Sequence, residues 1–313
     1  MAPAQTQPLP HARFLLVTGK GGVGKTTVCA ALAQAYVAQG KRVLIAMCNS
    51  KDRLSTMLGG PPIGTTVVEQ SKGLFAVNMT PDAAIEEYGM LTLKSRALYK
   101  LLFDNRYIRS FLRAVPGLQD WSMLGKAWWH TTEEGEGGKP KYDVVILDAP
   151  ATGHGLDMLR VPKVIVDIVP PGLLRRDAEA AWKLFQDPTQ AGVVLVTLPE
   201  EMPITESIEL LAAVRGELGL PVVKIIVNAA LQELFSPAER SVLRASGSGS
   251  DETPEGAVLR AGTLRALRED LQIESITRLI PYAKMPLTML PLVPRAAATP
   301  EGIAALVPHL TQF

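Results

Sequence analysis

Short apolar runs that alternate with longer stretches of helical periodicity constrain the fold of this chain more than any other feature. Seven runs are rich in aliphatic and β-branched residues and have the length of strands: 14–18, 43–47, 74–78, 144–147, 193–197, 223–227 and 288–293. Strands that alternate with helices in this way form a mainly parallel sheet. Most of the runs are uniformly apolar, as expected where helices cover both faces of the sheet. The sequence therefore predicts an α/β fold.

Two segments interrupt this alternation and predict a helical subdomain. Residues 81–132 are mostly helical in pattern and lead into the polar, glycine-rich loop 133–138. Residues 231–282 form the second insertion, which contains the Ser/Gly run 246–250. We expect both insertions to pack on one end of the sheet, so that 1–313 form a single domain.

Composition and charge exclude several classes of protein. Lys and Arg number 32 against 31 Asp and Glu, so no net field favours nucleic acid or an anionic membrane. No apolar run approaches the roughly 20 residues that span a bilayer, and the Pro- and Gln-rich start lacks the apolar core of a signal peptide. Two cysteines occur, Cys29 and Cys48, and they lack metal-ligand spacing, which indicates a reducing compartment. The expected location is the cytoplasm.

A glycine-rich loop lies between the first predicted strand and the first predicted helix. In this context the pattern GxxxxGK[ST] predicts a phosphate-binding loop, because the glycines let backbone N–H groups turn toward a phosphate and the helix N-terminus adds positive charge. Lys25 would contact the β- and γ-phosphates of a nucleotide, and the Thr26 hydroxyl would ligate Mg²⁺. The residues expected to bind the nucleotide here are Gly19, Lys20, Gly21, Gly22, Val23, Gly24, Lys25, Thr26 and Thr27.

A second segment ends an apolar strand in a carboxylate. This carboxylate is Asp148, which we expect to hold Mg²⁺ through water. The run from Asp148 to His154 reads DAPATGH and resembles the DTAPTGH switch II loop of the arsenical-pump and tail-anchored-protein targeting ATPases. The resemblance implies that Gly153 lets this loop move between two states. His154 would be a general base or, alternatively, a brace for the loop.

Both loops resemble those of the deviant Walker A ATPases, in which a lysine directly follows the first loop glycine. Lys20 occupies that position. The group most similar is the bacterial branch of the anion-transporting ATPases, which includes the arsenical-pump enzymes. The resemblance implies ATP and Mg²⁺ as ligands and a homodimer, or a heterodimer with a paralogous ATPase. Lys20 would then reach the partner's nucleotide like an arginine finger; the alternative is a solvent-facing lysine.

The resemblance extends to later strands, where it implies contacts with the base of ATP. Asn228 ends a strand similar to the family's base-recognition strand and would pair with adenine. Pro291 and Leu292 lie in a segment similar to the loop that packs on the adenine ring. Since Asn is also a common turn former, Asn228 alone would be a weak signal.

The chain departs from the family after its second strand. The family carries DPAH there, with an Asp that orients the attacking water, whereas this chain has Asn49 at that position. An amide can orient water but cannot accept its proton at neutral pH. Either Asp52 substitutes, or transfer proceeds slowly without a base, or the chain is the weaker half of a heterodimer. We expect slow turnover, with catalytic residues Lys20, Lys25, Asn49, Asp52 and Asp148.

The leading hypothesis is an ATP-driven dimeric switch whose helical subdomain grips or releases a client protein. One alternative is a non-hydrolysing ATP-binding scaffold, which Asn49 would favour. Another is a partitioning or septum-positioning ATPase, although residues 302–313 lack the basic residues of a membrane-anchoring helix. In the first insertion, Trp121, Trp128 and Trp129 would form a partner-binding patch or pack against the sheet.

Overall fold

An eight-stranded sheet forms the centre of the fold in the computed structural model, which describes residues 8–93, 117–150, 154–246, 253–294 and 298–311. The strand order is β3-β4-β2-β5-β1-β6-β7-β8, and all neighbours are parallel except β3 and β4. The strands are β1 (Phe14–Thr18), β2 (Val43–Cys48), β3 (Val68–Ser71), β4 (Leu74–Met79), β5 (Val144–Asp148), β6 (Ala191–Thr197), β7 (Val222–Ala230) and β8 (Leu287–Pro291).

The seven predicted strands are confirmed, with small differences at their ends, and β3 is the strand that the sequence pattern missed. β3 pairs antiparallel with β4 at the edge of the sheet through a turn at Gly73, whose φ is 82°. Only Gln70 of β3 is buried, so the strand has no apolar run to reveal it.

Helices cover both faces of the sheet, which confirms the predicted α/β class. They are α1 (Lys25–Ala38), α2 (Leu54–Leu58), α3 (Pro81–Leu93), α4 (Leu118–Thr132), α5 (His154–Ile168), α6 (Leu173–Gln186), α7 (Glu201–Ala212), α8 (Pro237–Ala245), α9 (Pro254–Ala283), α10 (Pro300–Leu306) and α11 (Pro308–Thr311). A π-helical turn, Ala213–Glu217, continues α7. None of the described helices is long and apolar enough to cross a membrane.

The central strand β1 shows why the predicted strands are apolar throughout. Leu15 and Val17 pack on one face against α1, α2 and the C-terminal helices α10 and α11. Phe14 and Leu16 point to the other face, where α4, α5 and α6 form a second core. Because successive side chains of a strand alternate between its faces, two covered faces require apolar residues at every position.

The two predicted insertions contain helices that pack against the sheet or against other helices. Trp121 of α4 is 4% exposed in the second core, and Trp128 packs against that core. These two residues agree with the alternative that the tryptophans pack against the sheet. Residues 94–116 of the first insertion lie outside the described residues. In the second insertion, α9 packs on α7 and covers the outer strands through buried Ile276 and Leu279. The single-domain organisation of 1–313 stays a prediction.

Candidate nucleotide-binding site

Loops from the parallel strands meet at one edge of the sheet. Asp148, the last residue of β5, lies in register with Val17 of β1 and with Met47 of β2. The loops that follow these strands are therefore neighbours at the carboxyl edge, where open α/β sheets bind their ligands. The predicted phosphate loop, Asn49 and Asp148 all lie along this edge.

The phosphate loop has a backbone that only glycine adopts readily. Gly24 precedes α1 as its N-cap with a φ of 87°, and Gly19 and Gly22 have φ values of 150° and 84°. A Cβ atom at Gly19 would lie 2.1 Å from the carbonyl oxygen of Val196 in β6. A Cβ atom at Gly24 would lie 2.2 Å from the amide nitrogen of Asn228 in β7. The loop is thus packed tightly against two strands.

This packing predicts unequal effects for the same substitution at two glycines. Gly19→Ala combines backbone strain with a clash against β6 and should lower the free energy of unfolding by about 3 kcal/mol or more. Gly22→Ala is the matched control, since no atom lies within 4 Å of its added Cβ and only backbone strain of about 1–2 kcal/mol applies. Urea unfolding without nucleotide measures both. Equal midpoints for the two variants would show that contact with β6 is unimportant.

Lys25 and Asp148 bring opposite charges into the buried base of the loop. Lys25 is 7% exposed, and its Nζ donates to the carbonyl oxygens of Gly19 at 3.1 Å and Lys20 at 3.0 Å. Burial lowers the pKa of Lys25, and the negative charge of Asp148 opposes that shift. Burial raises the pKa of Asp148, and the Thr26 hydrogen bond and the Lys25 charge oppose it. Each charge therefore compensates part of the other's desolvation.

Thr26 and Asp148 form an oxygen pair suited to Mg²⁺. The Thr26 hydroxyl donates to Oδ2 of Asp148 at 2.7 Å, which joins the first turn of α1 to the end of β5. Mg²⁺ prefers oxygen donors and keeps several of its waters, so it is usually bound by few protein groups together with phosphates. The Thr26 hydroxyl and the Asp148 carboxylate next to the phosphate loop therefore fit the ion. Thr27, also predicted to contact the nucleotide, lies in the first turn of α1.

Lys20 forms an ion pair within its own chain. Its ammonium group pairs with the Glu206 carboxylate of α7, and the Lys20 side chain is 48% exposed. Glu206 was not among the residues predicted to act at this site. No local pattern connects the two residues, which are 186 positions apart. The expected contact of Lys20 with a partner's nucleotide stays a prediction.

Asn49 adopts a left-handed backbone conformation at the end of β2. Its φ is 42°, and its N–H donates to the carbonyl oxygen of Met79 at 2.7 Å. Asn and Asp are the residues that most readily adopt this conformation after glycine. The backbone thus explains an Asn at this position as well as it would explain an Asp.

Asp52 holds the backbone that follows Asn49. Its Oδ1 accepts the N–H of Ser55 at 3.0 Å, and its Oδ2 accepts the N–H of Ile63 at 2.9 Å. Partial burial acts to raise the pKa of Asp52, but the hydrogen bonds from Ile63 and Ser55 outweigh it, and the pKa is lowered. A carboxylate with a lowered pKa and two bonded oxygens is a weak proton acceptor. This geometry argues against Asp52 as a substitute for the family's catalytic Asp.

Asn228 connects β7 to the phosphate loop. Its side-chain nitrogen donates to the carbonyl oxygen of Val23 at 2.9 Å, a contact that the sequence did not reveal. At the neighbouring edge strand, Pro291 ends β8, and the N–H of Leu292 donates to the carbonyl oxygen of Ala230 at 2.9 Å. The Leu292 side chain is 47% exposed. The predicted contacts of these three residues with adenine stay predictions.

The switch II loop lies only partly within the described residues. Ala149 follows Asp148 and donates its N–H to the carbonyl oxygen of Val17 at 3.1 Å. Residues 151–153, including the predicted hinge Gly153, lie outside the described residues. The helix α5 begins at His154, whose side chain also lies outside them.

Comparison with known proteins agrees with the architecture of this edge. The sequence model of the anion-transporting ATPase family matches residues 12–170, just over half of the chain. This match covers the phosphate loop, Asn49, Asp52 and the switch II segment. It confirms the resemblance to the arsenical-pump and targeting ATPases.

Individual relatives extend the similarity along the chain. ATPase BagA of Mycobacterium tuberculosis is 28% identical over 263 residues, which cover 81% of this chain and 75% of the relative. A Halobacterium salinarum protein, provisionally named an arsenical pump-driving ATPase, is 26% identical over 72% of this chain and 37% of its own length. ATPase GET3 of Kluyveromyces lactis is 27% identical over 49% of this chain and 46% of its own length. From the family match and the phosphate loop together, this chain belongs to the anion-transporting ATPase family.

Proposed function

We propose that this chain binds ATP with Mg²⁺ and hydrolyses it slowly, as a dimeric switch that grips and releases a client protein. The observation that carries the proposal is the convergence of Lys25, Thr26 and Asp148 at the carboxyl edge of the sheet. Membership of an ATPase family supports ATP binding and ATPase activity. The dimer and the client are the finer parts of the proposal.

Each group at this edge has a task in the proposed reaction. The backbone N–H groups of Gly19 to Gly24 cradle the phosphates, and Lys25 exchanges its carbonyl partners for phosphate oxygens. Thr26 and Asp148 would hold Mg²⁺, Thr26 through its hydroxyl oxygen and Asp148 through its carboxylate by way of water. Bound Mg²⁺ would neutralise charge on the β- and γ-phosphate oxygens. Lys20, supplied by the partner subunit, would stabilise the charge that develops during transfer.

Slow turnover follows from the absence of a carboxylate at position 49. The Asn49 amide can orient the attacking water, but it cannot take up the proton. The hydrogen bonds of Asp52 leave it badly suited to that task. These observations support slow transfer without a base, and they equally support a regulatory role in a heterodimer with a more active paralogue.

A carboxylate at position 49 should accelerate ATP hydrolysis. Asn49→Asp is expected to raise phosphate release several-fold to about tenfold, below the roughly 10²-fold or more of an adapted acid–base group. Asp fits the left-handed backbone at this position nearly as well as Asn does. Asp52→Asn is the control and should lose stability without changing the rate per folded molecule. A single-turnover phosphate assay tests both, and no gain in Asn49→Asp would show that the amide at position 49 is not what makes hydrolysis slow.

Exposed apolar side chains support a client surface on the face of the sheet that α4, α5 and α6 cover. Val164, Ile168 and Leu173 of α5 and α6 are 48%, 74% and 48% exposed. The helices α4, α5 and α6 pack on one another over the second core. Apolar side chains left in water on packed helices are typical of interaction sites.

The buried, free thiols of Cys29 and Cys48 agree with the proposed cytoplasmic location.

A further inference from the structure

In the ion pair with Glu206, the side chain of Lys20 is free to change its rotamer although its backbone is fixed. The backbone of Lys20 is held, because its carbonyl oxygen accepts a hydrogen bond from Nζ of Lys25 at 3.0 Å. Its side chain is about half exposed and extends from the loop to α7, where the Glu206 side chain is 24% exposed. A change of side-chain rotamer is therefore enough to release the ammonium group.

Glu206 stands on a rigid support. Its helix α7 is fixed in the core by Ile204 and Leu211, which are 0% and 2% exposed. The same turn is tied to α9, because Arg278 donates to the Thr205 hydroxyl at 3.0 Å. The carboxylate of Glu206 is thus a fixed acceptor beside the phosphate loop.

We propose that Glu206 is a positioning residue that holds Lys20 within its own chain and competes with the partner's phosphates for its ammonium group. This inference rests on the proposed dimeric function. A side chain paired with Glu206 on α7 cannot at the same time reach into a second subunit. Each Lys20–Glu206 pair must therefore open before a dimer closes, and the negative charge of the partner's nucleotide replaces the carboxylate. Closure is consequently harder without the phosphates that compensate for the lost pair.

The size of the effect follows from the exposure of the pair. Partly exposed ion pairs shift an equilibrium by up to about fivefold. A homodimer opens two such pairs, so their removal should tighten the ATP-bound dimer by about 2- to 25-fold. A heterodimer in which only this chain carries the pair should tighten by at most about fivefold.

Glu206→Gln tests the inference, because it removes the charge and keeps the shape. The control is Glu209→Gln, which removes the same charge one turn further along α7 at an exposed position. The dimer dissociation constant is measured by sedimentation velocity over a dilution series, with saturating ATP and Mg²⁺. We expect a tighter dimer for Glu206→Gln, no change for Glu209→Gln, and unchanged ATP affinity of the monomer in both. Should Glu206→Gln fail to fold, Glu206→Asp retracts the carboxylate and should tighten the dimer in the same direction, by less.

The outcomes separate this inference from the function on which it rests. If the wild type dimerises with ATP but Glu206→Gln dimerises equally or more weakly, Glu206 does not restrain Lys20, and the dimeric switch stands. If the wild type does not dimerise with ATP, the proposed function itself fails. In the Lys20→Ala background, Glu206→Gln should have no effect, because its target is gone. A gain in dimerisation there would show that Glu206 acts through another contact, which also overturns the inference.

Discussion

Lys25→Ala is expected to weaken ATP binding by at least tenfold. The ammonium group lies at the base of the phosphate loop, nearly shielded from water, where its interaction with phosphate oxygens is poorly screened. A charge-assisted contact of this kind contributes about 1.5–3 kcal/mol, which corresponds to a loss of about 10- to 150-fold. Isothermal titration calorimetry with ATP and Mg²⁺ measures the change.

A matched variant separates this effect from a general loss of positive charge. Lys41 is exposed and follows the C-terminal end of α1, at the opposite end of the helix from the loop. Lys41→Ala should bind ATP like the wild type. Circular dichroism checks that Lys25→Ala folds, since Asp148 loses a nearby countercharge. Unchanged ATP affinity in folded Lys25→Ala would remove the phosphate-loop assignment.

Lys20→Ala is expected to lower phosphate release by about 10³-fold or more, as trans-acting finger residues do. Its charge helps only after a second subunit has closed, so ATP affinity of the monomer should stay within a few-fold of the wild type. The combination is diagnostic, because a large loss of rate accompanies nearly unchanged binding. Phosphate release at saturating ATP and a binding titration at low protein concentration supply the two values.

The competing interpretations of Lys20 predict different pairs of values. A lysine that merely faces solvent and pairs with Glu206 would leave both rate and affinity unchanged. A lysine that contacts phosphates within its own chain would show an affinity loss like that of Lys25→Ala. Either result would contradict the arrangement in which Lys20 crosses between subunits.

The strands and the phosphate loop were predictable because their signals are local. Leu15 and Leu16 face opposite cores, so the apolar run itself reports a strand covered on both sides. The loop motif is contiguous, and Gly19, Gly22 and Gly24 have the positive φ angles that glycine adopts readily. β3 escaped prediction because an edge strand with one buried residue needs no apolar run.

Contacts between distant segments could not be predicted in the same way. The pairing of Asn228 with Val23 spans 205 positions and depends on how β7 packs against the loop. The hydrogen bond from Ile63 to Asp52 depends on the path of the chain after α2. From the sequence, Asn228 was available for base recognition and Asp52 for catalysis. A sequence shows which polar groups exist, but it does not show which hydrogen bonds they form in the folded chain.

The proposed switch is tested most directly by the mass of the wild-type protein in solution. Multi-angle light scattering is run at one protein concentration without nucleotide, with ADP and Mg²⁺, and with ATP and Mg²⁺. A switch closed by ATP predicts a monomer in the first two samples and a dimer in the third. The same mass in all three samples would contradict a dimer that ATP closes.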